Sequence, residues 1–361
     1  MSAVLEPARV ARAPRPAPQR LALLGPGTDG SASTDRSRRL RARGVALPPV
    51  LWLANSRTVQ SCDDGVEAAL DAARNAPRRI SETPGWAEAE ALRAGDIVVD
   101  ATASDSVADW HLEWLEGAVR VVTANKPGNG GALARAQAIG AATPRTGSGY
   151  GDAATVRAGL PLLRSVRALV AGGDRIHRIE GVLSGSLAWL FDRFDGRRPF
   201  SALVREAREA GYTEPDPRID LSGEDVRRKL LILARTAGLP LQADDVRVDS
   251  LVPAAPAALP AAAVDAALEQ CDAPLQARLQ DALAQDGRLR FIGSFDALGA
   301  RVGLQVLATG HPLAGGAGTD NRVAIYSDRY DRQPLLVQGP GAGAEVTAAA
   351  LLDDVLALAR A

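Results

Sequence analysis

Leu21-Ala22-Leu23-Leu24-Gly25-Pro26-Gly27-Thr28-Asp29-Gly30 reads as a short buried strand that breaks into G-x-G-x-x-G and then runs into a polar, arginine-rich stretch. In that setting the spacing has a mechanical meaning. Gly25 makes the tight turn, Gly27 lets the backbone approach a pyrophosphate, and Gly30 lets a helix pack close, with the phosphates at the helix N-terminus. Pro26 brings no N–H and Asp29 adds a negative charge near the anion, two departures from an ideal cradle. Further along, Val50-Leu51-Trp52-Leu53-Ala54, Asp96-Ile97-Val98-Val99-Asp100 and Val119-Arg120-Val121-Val122-Thr123 read as buried strands. Helical stretches separate them, and Thr58 to Gly95 reads as helices and a long connection. Strand, helix and strand in repetition predict an α/β class with a parallel, doubly wound sheet, a Rossmann-like dinucleotide-binding domain. Ligands in such sheets sit beyond the carboxyl ends of the strands, so Thr102 and Lys126 point toward the cofactor crevice.

The second strand ends in Asn55-Ser56-Arg57, where a site preferring NAD would carry an acid for the ribose hydroxyls. An arginine there suits a 2′-phosphate, so NADP is expected, with NAD as the alternative; a plain solvated arginine would look the same. A net charge of −1 and a pI near 6.4 speak against nucleic acid or an anionic membrane as partner. No apolar run reaches the roughly 18 residues of a membrane span. Cys62 and Cys271 lack metal or disulfide spacing, and a cytoplasmic location is expected. Residues 1–18 mix Ala, Arg and Pro without periodicity and predict a disordered tail. His111, His177 and His311 stand singly and read as structural or surface residues, and the five tryptophans as core fillers.

Downstream, Asp225 and Lys229 lie four apart in a segment whose Val226, Leu230 and Leu233 follow helical spacing, so the charged pair shares one face. Ser222-x-x-Asp225 has the look of a capping box. On that reading the pair is an ordinary surface ion pair contributing about 0.3–0.5 kcal/mol. The preceding loop, Gly211-Tyr212-Thr213-Glu214-Pro215-Asp216-Pro217, is too rigid and acidic for filler. Glu214 beside Asp225 and Lys229 would hold a small ammonium-bearing substrate and leave a lysine for proton transfer. Lys126 completes a two-lysine, two-acid set suited to an amino-acid alcohol or aldehyde.

From Thr123-Ala124-Asn125-Lys126 onward the chain resembles homoserine dehydrogenases. The resemblance rests on Ala154-Thr155-Val156, Ala158-Gly159-Leu160-Pro161, Ile179 to Leu187, Gly211 to Arg218 and Asp220 to Leu230. Gly339-Pro340-Gly341-Ala342-Gly343 with Val346-Thr347-Ala348 extends it to the C-terminal region. It implies NAD(P)-dependent interconversion of L-homoserine and L-aspartate 4-semialdehyde, in threonine and methionine biosynthesis. Lys229 matches the acid/base, Lys126 the lysine between cofactor and substrate, and Glu214 and Asp225 the substrate-binding positions. Gly27, Thr28, Asp29, Thr102, Gly211 and Gly343 match cofactor contacts. A sodium-like monovalent cation is implied at the carbonyls of Ala153, Val156, Ala158 and Leu160, although Arg157 replaces a usual glycine there. The implied organisation is a nucleotide-binding domain of residues 19–144 and 339–361 enclosing an α+β catalytic and dimerisation domain of residues 145–338, assembled as a homodimer. Only about one helix of chain follows Gly343, so a C-terminal regulatory module is not expected. Two alternatives stay open: a catalytically silent dinucleotide-binding or regulatory protein of the same fold, and a dehydrogenase for another small amino or hydroxy acid.

Overall fold

The computed structural model describes residues 19–77, 92–252, 259–260, 263–341 and 343–360. The expected N-terminal tail, Trp86 and much of the stretch before Gly95 lie outside the described residues. Period-two alternation on β1 (Leu21–Leu24) decides how the first half folds. Leu21 and Leu23 turn to one face, packing with Leu70 of α2 (Val66–Asn75) and Leu351 of the C-terminal helix, Ala344–Arg360. Ala22 and Leu24 turn to the other, against Leu115 of α3 (Asp105–Glu116) and Ile139 of α5 (Leu133–Thr146). With both faces covered, the strand is apolar throughout, as a central parallel strand must be.

The strands β2 (Val50–Ala54), β3 (Val59–Ser61), β4 (Ile97–Asp100), β5 (Arg120–Thr123) and β6 (Tyr150–Gly151) complete this sheet in the order β3-β2-β1-β4-β5-β6. All neighbours are parallel except β2 and β3. The stretch after Arg57 therefore opens with a strand, where helices and a connection were expected. Asn55 is the cause: its side-chain oxygen accepts from the backbone N–H groups of Arg57 (2.8 Å) and Thr58 (3.0 Å) and turns the chain back along β2. Position 144 falls inside α5, and the sheet continues to Gly151. The C-terminal helix packs on this sheet through Leu351 and Val355.

The second sheet has the order β12-β11-β7-β9-β10-β8, from β7 (Ile176–Val182), β8 (Val246–Val248), β9 (Gly287–Asp296), β10 (Gly299–Ala308), β11 (Asn321–Ser327) and β12 (Leu335–Gly339). It is antiparallel apart from the β8–β10 pair. Helices α6 (Leu162–Ala171), α7 (Gly185–Arg193), α8 (Phe200–Glu209), α9 (Arg218–Leu221) and α10 (Glu224–Thr236) share with it one core, in which Ile179, Phe200, Leu221, Leu230, Phe291 and Phe295 are buried. The architecture is thus α/β, a Rossmann-like sheet joined to an α+β unit. No helix among the described residues is long and apolar enough to cross a membrane.

Candidate active site

Helix α10 starts at Glu224, and its N-cap is Gly223 in the left-handed region (φ +81°). The capping box expected from Ser222 does not form. Glu224 N–H donates to the Ser222 hydroxyl (3.3 Å), and no side chain caps the helix. A Cβ at Gly223 would lie 3.0 Å from the Phe291 ring, so packing as well as φ favours glycine. Val226, Leu230 and Leu233 bury the inner face, and Lys229 goes inside with them, only 6% exposed. Lys229 Nζ lies 2.5 Å from Asp225 Oδ2 and donates to the Leu183 carbonyl at 3.0 Å. A surface ion pair this is not, although the Asp225 side chain keeps 41% exposure toward the open side.

From the first sheet, Lys126 reaches the same carboxylate, Nζ 3.5 Å from Asp225 Oδ1. It sits at the start of α4 (Pro127–Gly130), just past the carboxyl end of β5. The turn carrying it is held from below. Asn125, fully buried, donates through Nδ2 to Asp100 Oδ2 (2.8 Å), the Ser104 carbonyl (2.7 Å) and Thr102 Oγ1 (3.3 Å). Asp100 Oδ2 also faces His111 Nε2 at 2.9 Å, and His111 Nδ1 faces the Tyr150 hydroxyl at 3.0 Å. His111 is fully buried, with a partner at each ring nitrogen.

Charge and burial set the protonation of the cluster. Burial pulls the Lys229 ammonium down to about 8, helped by the Arg157 and Lys126 cations and opposed by Asp225. Burial also works to raise the Asp225 carboxyl, but Lys229, Lys126 and Arg157 outweigh it and hold the group well below the usual carboxylate range. The arrangement offers a fixed anion for an ammonium and a lysine able to exchange a proton near neutral pH.

The glycine turn lies at the carboxyl end of β1, next to β4, where the strand order reverses. Gly25 has φ +75°, and a Cβ there would stand 2.9 Å from the Ala101 carbonyl and Thr102 Cγ2. One at Gly30 would stand 2.6 Å from the Gly25 oxygen, whereas Gly27 has nothing within 4 Å. A ligand can therefore approach at Gly27, immediately before α1 (Thr28–Ala42), whose Thr28-Asp29-Gly30 turn has no side-chain cap on its amides. Arg57 is exposed beyond β2, and its guanidinium has no partner among the described residues. Gly343 (φ +119°) precedes the C-terminal helix, and Gly211 (φ +74°) follows α8.

Glu214 is less engaged than its loop implied. Its N–H donates to Asp220 Oδ2 (2.9 Å), but its exposed carboxylate makes no ion pair among the described residues. Asp220, which the sequence reading passed over as a site residue, ties that loop to α7 by accepting from Ser186 Oγ at 2.7 Å. At the expected cation loop, Ala153 belongs to a 3-10 turn, and the Leu160 carbonyl already accepts from Leu162 N–H at 2.8 Å. Arg157, in the middle of that loop, is buried with φ +52° and donates to the Leu183 carbonyl at 3.2 Å. A buried guanidinium at its centre makes this loop a poor fit for a cation. One composition signal went unused: Lys126 and Lys229 are the only lysines in the sequence, every other residue of the 42 Lys and Arg being arginine.

The homoserine dehydrogenase family model matches residues 161–356. Homoserine dehydrogenase from Emericella nidulans is 36% identical over 94% of this chain and 98% of its own. The carrot (Daucus carota) chloroplastic bifunctional aspartokinase/homoserine dehydrogenase is 37% identical over 93% of this chain, which spans only 38% of that longer relative. A hyperthermophilic archaeal homoserine dehydrogenase solved in complex with NADPH shares the fold, with a TM-score of 0.68 at 20% identity over 93% of this chain and 96% of that one.

Proposed function

This chain belongs to the homoserine dehydrogenase family, and we propose that it interconverts L-homoserine and L-aspartate 4-semialdehyde with NADP, in threonine and methionine biosynthesis. One observation carries the reading: a lysine of α10 and a lysine at the start of α4 converge on a single carboxylate, at 2.5 and 3.5 Å, beside the carboxyl ends of a doubly wound sheet. Gly25, Gly27, Thr28, Asp29 and Gly30 would hold the pyrophosphate, with Thr102, Gly211 and Gly343 lining the rest. The open space at Gly27 fits that group. When bound, NADP supplies the hydride acceptor.

Asp225 accepts the substrate ammonium together with Glu214, whose exposed side chain has room to turn toward a ligand. Lys229 takes the proton from the hydroxyl oxygen as the alcohol is oxidised and returns it in reduction. Lys126 steadies the oxygen as negative charge develops on it. The monovalent cation of the resemblance fits its loop poorly, and no step passes through one. Residues 145–338 would act as catalytic and dimerisation domain and residues 19–144 with 339–361 as nucleotide domain, in a cytoplasmic homodimer.

Purified protein mixed with homoserine and NADP should generate the absorbance of reduced cofactor. No turnover with homoserine, or faster turnover of another amino or hydroxy acid, would overturn the assignment. Cofactor choice rests on Arg57. Charge-assisted bonds of roughly 1.5–3 kcal/mol to a 2′-phosphate correspond to about a 10- to 150-fold preference for NADP. Arg57→Ala should erase most of it, and added salt should weaken NADP binding more than NAD binding. Equal use of both cofactors by the wild type would reduce Arg57 to a solvated strand-end residue.

A further inference from the structure

We propose that Arg157 is a positioning residue for Lys229: a fixed cation that shares the Leu183 carbonyl with the lysine and keeps Nζ ready to accept a proton. The inference deepens the proposed function and rests on it for the identity of the base. Its geometry is independent of that reading. Lys229 Nζ (3.0 Å) and Arg157 Nη1 (3.2 Å) donate to one oxygen, so the two charges are no farther apart than those two contacts combined. The guanidinium makes no ion pair among the described residues, and Asp225 acts on it only from a distance. Arg157 is 6% exposed, the Leu183 carbonyl is its hydrogen-bond partner, and Nε and Nη2 are buried without partners among the described residues.

Placing it there is unfavourable on three counts. An arginine is held in the left-handed region, a charge is desolvated, and two donors go unpaired. The chain also makes room for it with glycines on both sides. A Cβ at Gly341 would lie 2.6 Å from Nε, and one at Gly185 would lie 3.3 Å from Nη2. A residue kept only for packing would be better served by an apolar side chain, or by glycine itself.

The consequence of the arrangement is electrostatic. Lys229 is faced by Asp225 from its own helix, by Lys126 from the start of α4 and by Arg157, so the one carboxylate is shared among three cations. Asp225 favours the ammonium, and burial, Arg157 and Lys126 oppose it, Arg157 being the stronger of the two cations. Arg157 is itself pulled down by burial only to about 10 and stays charged at neutral pH.

Because the chain holds only two lysines, lysine labelled with carbon-13 at Cε gives an NMR spectrum of two signals, and Lys229 can be titrated without any turnover. Arg157→Gln should raise the Lys229 midpoint by about 0.5–2 pH units, the range for a unit charge some 6 Å away between high and intermediate dielectric. The alkaline-rising limb of kcat/KM for homoserine should move up by the same amount. Arg157→Gly, which relieves the backbone, should give the same shift with an equal or higher Tm. Arg157→Lys, which keeps the charge, should stay close to wild type. A Lys229 midpoint unmoved in both the glutamine and glycine variants overturns the proposal, as does a fall in Tm without a shift. If the wild type fails to oxidise homoserine, the proposed function falls, and the titration still judges Arg157 by itself.

Discussion

Lys229→Ala should lower homoserine turnover about 10²–10⁴-fold while leaving NADP affinity nearly intact, the usual effect of removing a positioned acid/base. The lysine is buried, donates to a backbone carbonyl and titrates near 8, so it exchanges a proton readily at the pH of the cell. The sign of the pH dependence follows. Homoserine oxidation needs the neutral amine and should rise with pH through about 8; semialdehyde reduction needs the ammonium and should fall across the same range. Steady-state rates in both directions across pH 6–10, with cofactor binding followed by fluorescence, check this. A variant that retains more than a tenth of wild-type turnover removes Lys229 from the role.

Asp225→Asn should be nearly as damaging, by another route. The carboxylate is the anion between Lys126 and Lys229, and its loss leaves three cations facing one another. Truncating one partner of a buried charge pair costs about 3–5 kcal/mol; Asp225 is partly exposed, so the stability loss should be smaller, about 1–2 kcal/mol. Loss of the ammonium contact should lower kcat/KM for homoserine about 10²–10³-fold, mainly through KM. Since Asp225 raises the Lys229 midpoint, its removal should move the rising limb to lower pH, opposite to the Arg157→Gln shift. A KM that stays constant while NADP affinity falls would assign Asp225 to the cofactor. A milder effect is expected at Glu214: Glu214→Gln should raise the homoserine KM without altering NADP binding.

The legible parts of this protein are those whose cause is local. Leu21 to Gly30 carries strand, turn and helix start in ten residues, because φ, backbone clearance and strand periodicity are each read within a few positions. The pairing of Asp225 with Lys229 is equally local, since α-helical geometry puts positions i and i+4 on one face. The strand Val59–Ser61 was not legible. It has three residues, and it exists because Asn55 turns the chain back along β2. The start of α10 was misread for a related reason, as Gly223 in a left-handed conformation and wedged against Phe291 displaces the local cap that Ser222 offers.

By itself the sequence determined the α/β class, the glycine cradle, the two lysines and the acid one turn from Lys229, because these follow from residue type and short-range spacing. Only the tertiary structure decided that Lys229 is buried rather than solvated, that Lys126 crosses from the other sheet to the same carboxylate, and that Glu214 stands apart from an ion pair. Tertiary structure likewise turned Arg157 from a loop substitution into a charge on the Leu183 carbonyl beside the base. The physical reason is common to all four. Burial and Coulomb interaction depend on distance through space, and segments about a hundred residues apart in sequence come within a few ångströms only when both sheets have formed.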